Sequence, residues 1–140
     1  MSEATLGQRQ RDICAAIKAG IPAVQICEPL GMQLSTEGIG RSAAKMPAVY
    51  VACAGVQGGQ AFPVGTGSTR VIWTAFLVVS DAMEPTTATD LLERLIDHVR
   101  GEAHGSPLTA PQLERAENLF KGEAARQPLS IYAVRFSHNY

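Results

Sequence analysis

The glycines offer the first possible chemistry. Gly55-Val56-Gln57-Gly58-Gly59-Gln60 and Gly65-Thr66-Gly67-Ser68-Thr69 could present backbone amides to a phosphate. A Walker loop needs Gly-Lys-Ser/Thr, and no lysine lies in this stretch. A dinucleotide fingerprint needs a strand, then glycines, then a helix; here a second strand is expected to follow. The stretch reads instead as a long hairpin loop. His98 and His104 stand at the wide limit of zinc-finger histidine spacing, but no paired cysteines precede them and Gly101 should break the helix between them. His98 falls at or beyond the edge of an apolar stripe, which places it at the rim or in solvent. His138 has no motif around it. Asp81 and Glu84 follow an apolar strand, where α/β enzymes often keep acids. Two acids three apart in a turn more commonly start a helix, whose positive end they favour. Cys14, Cys27 and Cys53 are odd in number and contain no C-x-x-C, which fits small buried hydrophobes in a reducing cytosol. No G-x-S-x-G occurs. The residues therefore imply no catalytic site, no cofactor site and no metal site.

The elements that would position any site are organised around Arg70-Val71-Ile72-Trp73-Thr74-Ala75-Phe76-Leu77-Val78-Val79-Ser80. Successive strand side chains point to opposite faces, and here both faces are apolar. Such a strand belongs at the centre of a sheet, covered on both sides, with Trp73 either in the core or at a subunit interface. The strand Pro47 to Ala54 precedes it. Between them, Gly55 to Gly67 is a connection of thirteen residues with five glycines, a length that is usually functional or disordered. The two strands should pair as an extended hairpin.

Thr5-Leu6-Gly7-Gln8 has the form of a capping box, and Leu6, Ile13, Ala16 and Ile17 share one helical face. A first helix is predicted from Thr5 to Ala19, ended by Gly20 and Pro22. Ala23 to Leu34 suggests a pair of short strands, and Thr36 to Met46 a loop. Ala88, Leu92, Leu95, Ile96 and Val99 form an amphipathic stripe, widened by Leu91, which predicts a second helix from Thr86 to Arg100. Pro111 to Phe120 fits either a short helix or a strand. Leu129 to Phe136 reads as a closing strand with apolar residues on both faces near its middle. The elements expected are a sheet, two helices and a long hairpin loop, in one domain over residues 1–140.

Composition narrows the function class. Hydrophobic residues make up 46% and charged residues 18%, which marks a globular chain. A net charge of −1 lacks the basic footprint of a dedicated nucleic-acid binder. The start, Met1-Ser2-Glu3-Ala4-Thr5, has no basic-then-apolar secretory pattern, which implies a soluble protein made in a cytoplasm, with no membrane partner. Charge is uneven. No acid lies between Glu37 and Asp81, where Arg41, Lys45 and Arg70 stand. From Asp81 to Glu123 there are nine acids and four bases. Solvated faces do this routinely; two complementary surfaces meeting between copies of the chain would do it too.

Three parts of the chain carry a resemblance. They are Met46-Pro47-Ala48-Val49-Tyr50-Val51-Ala52, then Thr69 to Val79, then Ala116-Glu117-Asn118-Leu119-Phe120 followed by Leu129-Ser130-Ile131-Tyr132-Ala133-Val134-Arg135-Phe136. Together they resemble the small tail-region proteins of Mu-like phages and prophages. That resemblance implies similarity to tail terminators, which form a ring, commonly a hexamer, at the head-proximal end of a phage tail. The ring stops polymerisation of the tail tube and helps to join the head or neck. The implied partners are further copies of the chain, the tail tube protein and a neck or connector protein, in the virion tail, with no membrane and no specific nucleic acid. The fold the resemblance implies is α+β, tail-terminator-like: a mixed or mainly antiparallel sheet with two helices packed on it and a long hairpin loop. The family brings no active-site residues. The rival readings are a head-completion, neck or minor tail protein and, further off, a small ligand-binding protein or enzyme sited near Asp81 and His98.

Overall fold

In the computed structural model, the described residues are 5–30, 46–58, 69–80, 83–101, 112–119 and 129–139. Helix α1 spans Leu6–Gly20. Thr5 caps it, its hydroxyl accepting from the Gln8 N–H at 3.0 Å. The Gln8 side chain turns forward along the helix instead of back to the cap: its Oε1 accepts from the Arg11 guanidinium at 3.1 Å and its Nε2 donates to Asp12 at 2.8 Å. Ile13, Cys14 and Ile17 form the buried face. Helix α2 spans Pro85–Gly101 and buries Ala88, Leu91, Leu95 and Val99. Glu84 opens it: its carbonyl accepts from the Ala88 N–H at 3.1 Å, and its carboxylate accepts from the Thr86 hydroxyl at 2.7 Å. Glu84 is thus a helix-start residue, as its position in the sequence suggested.

Five strands make one sheet: β1 (Ile26–Pro29), β2 (Ala48–Gly58), β3 (Thr69–Ser80), β4 (Gln112–Asn118) and β5 (Leu129–Asn139), in the order β1-β2-β3-β5-β4. β1 runs parallel to β2, and the other pairings are antiparallel, so the sheet is mixed. The fold is α+β. β3 is the central strand, as its two apolar faces required. Its odd positions, Val71, Trp73, Ala75, Leu77 and Val79, lie in the core that both helices cover, while Phe76 and Val78 belong to a second apolar cluster on the opposite face. Burying one such side chain fully is worth about 1.5–3 kcal/mol, so a strand apolar on both faces holds the centre of the sheet. α1 lies over β1 and β2, and α2 over β4 and β5.

Three boundaries differ from the sequence reading. Residues 55–58 extend β2 instead of starting a loop, in register with Thr69 to Ile72, past a bulge between Cys53 and Gly55. The rest of the expected loop, 59–67, lies outside the described residues. Ala23 to Leu34 yields one short strand, Ile26–Pro29, with 31–34 outside the described residues; so are residues 36–45 of the expected loop. The ambiguous segment near Pro111 is the strand β4.

Candidate interaction surface

The sheet face away from the helices is divided. At one end Ala48, Tyr50, Ala52, Phe76, Val78, Ile131 and Ala133 pack together and are buried. Cross-strand register sets Glu28, Tyr50, Phe76, Ala133 and Glu117 in one row across all five strands. The Tyr50 hydroxyl is buried without a hydrogen-bond partner among the described residues, and burial, with a lesser push from the Glu28 charge, raises its pKa above the usual phenol value.

At the other end the same face is charged. Ala52, Thr74, Arg135 and Arg115 form the next row, which sets two arginines side by side on β5 and β4. Like charges directly opposite repel. A bulge in β4 between Leu113 and Arg115 leaves Glu114 out of the ladder. Its carboxylate accepts from the Arg135 Nε at 3.3 Å and also from the Arg70 guanidinium on β3. Arg115 pairs with Glu117 at 2.9 Å. Five charged side chains from three strands are therefore bound into a half-exposed patch near the end of the β2–β3 hairpin. Arg70 is not a free positive charge: it is engaged within its own chain. Arg41 and Lys45, its expected companions, lie outside the described residues. The exposed bases among the described residues include Arg11 and Lys18 on α1, and the exposed acids include Asp90, Glu93 and Asp97 on α2.

On the helical side, α1 is tied down at three points. Gln10 donates its amide to the Leu30 carbonyl at 3.1 Å and the Val51 carbonyl at 2.7 Å, bridging β1 and β2. Cys14 lies on the buried face of α1, and Cys27 on β1 packs against the same core cluster. A thiol–thiol interaction lowers the Cys14 pKa and, ahead of burial, raises that of Cys27. Gly20 admits the His98 imidazole of α2 against the last turn of α1.

The sequence candidates for chemistry do not converge. His98 is half-buried at the helix seam, with its Nε2 buried, which is the rim position and not the solvent one of the two that its edge place in the sequence allowed. Leucine and isoleucine fill the core side of α2, but the absent side chain at Gly20 opens room for the ring. His138 is fully buried on β5, edge-on to Phe136 with ring centroids 5.5 Å apart. Trp73 is fully buried in the helix-covered core. Asp81 and His104 lie outside the described residues. Among the described residues no group of three or more His, Cys, Asp or Glu could hold a metal ion, and no helix is long and apolar enough to cross a membrane. The charged patch, which sequence reasoning did not find, gives no signal in the sequence, because Arg70, Glu114 and Arg135 are far apart along the chain.

A family model described as Bacteriophage Mu, Gp37 matches residues 5–140. Comparison with curated proteins gives no match. Among solved structures, a chain from the virion of a native gene transfer agent (GTA) particle has a similar fold, with a TM-score of 0.54 and 12% sequence identity. That likeness covers 92% of this chain and 94% of the other.

Proposed function

Because the chain belongs to the Bacteriophage Mu Gp37 family, we propose that it is a structural protein of a phage-type virion and acts there as the tail terminator. The observation that carries this reading is the family match across residues 5–140. The shared fold of a chain from a GTA virion supports it. In this role copies of the chain, each a single unit over residues 1–140, form a ring, commonly a hexamer, at the head-proximal end of the tail. One face of the ring stops the tube, and the other offers a joining surface to the neck or connector.

A closed ring needs heterologous contacts, in which one patch meets a different patch on the next copy. α1 and α2 cover opposite edges of one face of the sheet, so a head-to-tail contact brings α1 of one copy toward α2 of the next. The exposed Arg11 and Lys18 then approach the exposed Asp90, Glu93 and Asp97, a pairing that favours one orientation over its reverse. The residues of the β2–β3 connection, 59–68, serve contacts with the tube or neck.

Electron microscopy of particles made without this gene tests the assignment. Overlong tails, or tails without heads, are expected. Heads that leak DNA beside tails of normal length would instead assign the protein to head completion.

A further inference from the structure

Building on the tail-terminator reading, we infer that the two edge strands of the sheet join neighbouring copies of the chain: β4 of one copy pairs antiparallel with β1 of the next, with Arg115 opposite Glu28. Among the described residues β1 and β4 each have a strand on one side only, because they stand at the two ends of the order β1-β2-β3-β5-β4. An edge strand presents a row of backbone N–H and C=O groups ready to pair with another chain. β1 runs with β2, and three antiparallel steps lead on through β3 and β5 to β4, so β1 and β4 point in opposite directions. Rotation about a ring axis that runs along the strands keeps each strand's direction. The β4 of one copy therefore meets the β1 of the next as an antiparallel pair. α1 contacts β1 and α2 contacts β4, so the same join sets α2 beside α1 of the next copy.

Side chains, charge and backbone set one register. Cys27 and Ala116 pack against the helix-covered core, while Glu28 and Glu117 lie in the row of Tyr50 and Phe76 on the other face. A slip of one residue turns every side chain of a strand to the wrong face. Within the regular part of β4, Glu28 can therefore stand opposite Glu117 or Arg115. Opposite Glu117, two exposed acids would repel; opposite Arg115, an exposed acid meets an exposed base. With Glu28 opposite Arg115, Pro29 falls opposite Glu114. Pro29 has no N–H to give a ladder, and Glu114 is the residue that the β4 bulge leaves out of its ladder, so the two interruptions coincide. In the other register Pro29 would fall opposite Ala116, in the regular part of β4. The join pairs Ile26 with Glu117, Cys27 with Ala116 and Glu28 with Arg115. Arg115 there answers Glu28 of the next copy as well as its own Glu117. Proline, bulge and charge also deter looser edge-to-edge pairings.

The test uses intact particles whose gene carries Glu28→Cys together with Arg115→Cys. Residues opposite each other in an antiparallel pair have Cα atoms about 4.5–5.5 Å apart, which a disulfide spans. Mild oxidation and electrophoresis without reductant are expected to show a ladder of linked copies that reductant collapses, at least about tenfold stronger than with either cysteine alone. Glu28→Cys with Glu117→Cys should give no more linkage than the single variants, because two residues of stagger set the Cα atoms roughly 8 Å apart, beyond a disulfide's reach. Electron microscopy of the same particles separates two failures. A ring of this chain at the junction with no ladder, or with a ladder from the Glu117 pair instead, overturns the edge-strand contact and leaves the terminator reading standing. Wild-type particles without such a ring overturn both. If the cysteine pair does not fold, charge reversal decides. Glu28→Arg should lower the yield of joined particles at least about tenfold, and adding Arg115→Glu should restore most of it. A Glu28→Arg chain that assembles normally, or a double reversal no better than the single one, would overturn the contact.

Discussion

Gly20 and His98 lock the two helices together: a Cβ at position 20 would stand 2.7 Å from the His98 Nδ1 and 2.8 Å from its Cε1. Both helices pack on the same face of the sheet, and this histidine meets the last turn of α1. Removing Gly from a helix usually stabilises it by about 0.4–1 kcal/mol through the unfolded chain. Here the clash opposes that gain, because the imidazole is held at the seam with one nitrogen buried. Gly20→Ala is expected to destabilise by roughly 1–3 kcal/mol. In a His98→Ala background the same change should become neutral or stabilising. Urea unfolding of the double-mutant cycle reads the change of sign. Equal effects in both backgrounds would show that the contact does not constrain the helices.

Gln10 holds α1 to the β1–β2 edge with two hydrogen bonds from one amide. Each such bond is worth about 0.5–1.5 kcal/mol net. Gln10→Ala should therefore cost roughly 1–2 kcal/mol. Gln10→Glu should cost more at neutral pH, because a carboxylate accepts only and would face two carbonyl oxygens. Denaturant unfolding gives the energies, and faster amide exchange at Leu30, whose N–H bonds to the Val51 carbonyl at 2.8 Å, localises the effect.

How much of this was legible in the sequence follows from particular residues. β3 declared its central place because both of its faces are apolar. α1 declared its start through Thr5 and Gln8. β4 was ambiguous for a physical reason: its bulge adds a residue, so Leu113 and Ala116, both packed on the helix-covered core, stand three apart instead of two. That spacing mimics a helix. The far end of β2 looked like loop because Gly55 and Gly58 carry no side chain and Val56 is 50% exposed. The Cys14–Cys27, Gly20–His98 and Arg70–Glu114 contacts join segments that no local pattern connects. The family resemblance lay in short words along the strands, whereas the charged patch depends on register, which only the folded sheet supplies.

Glu114 should matter most at low salt. It answers two arginines and offsets the repulsion between Arg115 and Arg135, yet the groups are partly exposed, which limits the gain to about 1 kcal/mol per pair. Glu114→Gln is expected to lower stability by roughly 1–2 kcal/mol at low ionic strength. Most of that difference should vanish near 1 M salt, where the screening length falls to about 3 Å. Thermal melts at the two salt concentrations check this; a loss that ignores salt would point to packing instead.

Alkaline pH should weaken the fold through Cys27 and Tyr50. Both pKa values are raised in the folded chain, from ordinary values of 9.0 and 10.0. Above those values the unfolded chain gives up protons that the folded chain keeps. It then binds fewer protons, and stability falls as pH rises, by at most about 1.4 kcal/mol per pH unit for each group. Cys14, whose pKa is lowered, works oppositely: its contribution is full above pH 9 and is lost as pH falls through the folded value. Stability measured by urea unfolding should thus decline from about pH 9 upward. Tyr50→Phe should flatten the part above 10, and Cys27→Ala the part that begins near 9.

If the segment between β2 and β3 serves assembly, shortening it should separate folding from function. Replacing residues 59–67 with a short turn is expected to leave the Tm of the isolated chain within a few degrees, since the closure cost of a connection changes only slowly with its length. It should disturb tail length or head joining in particles. Particles of normal tail length and infectivity would refute that role for the segment.

The most direct measurement is an electron-microscopy reconstruction of the head–tail junction in the phage-type particle that this gene serves. The account predicts a closed ring of this chain between the last tier of the tail tube and the neck, with α1 of each copy beside α2 of the next. A junction built entirely from other polypeptides, with this chain elsewhere in the particle or absent from it, would contradict the account.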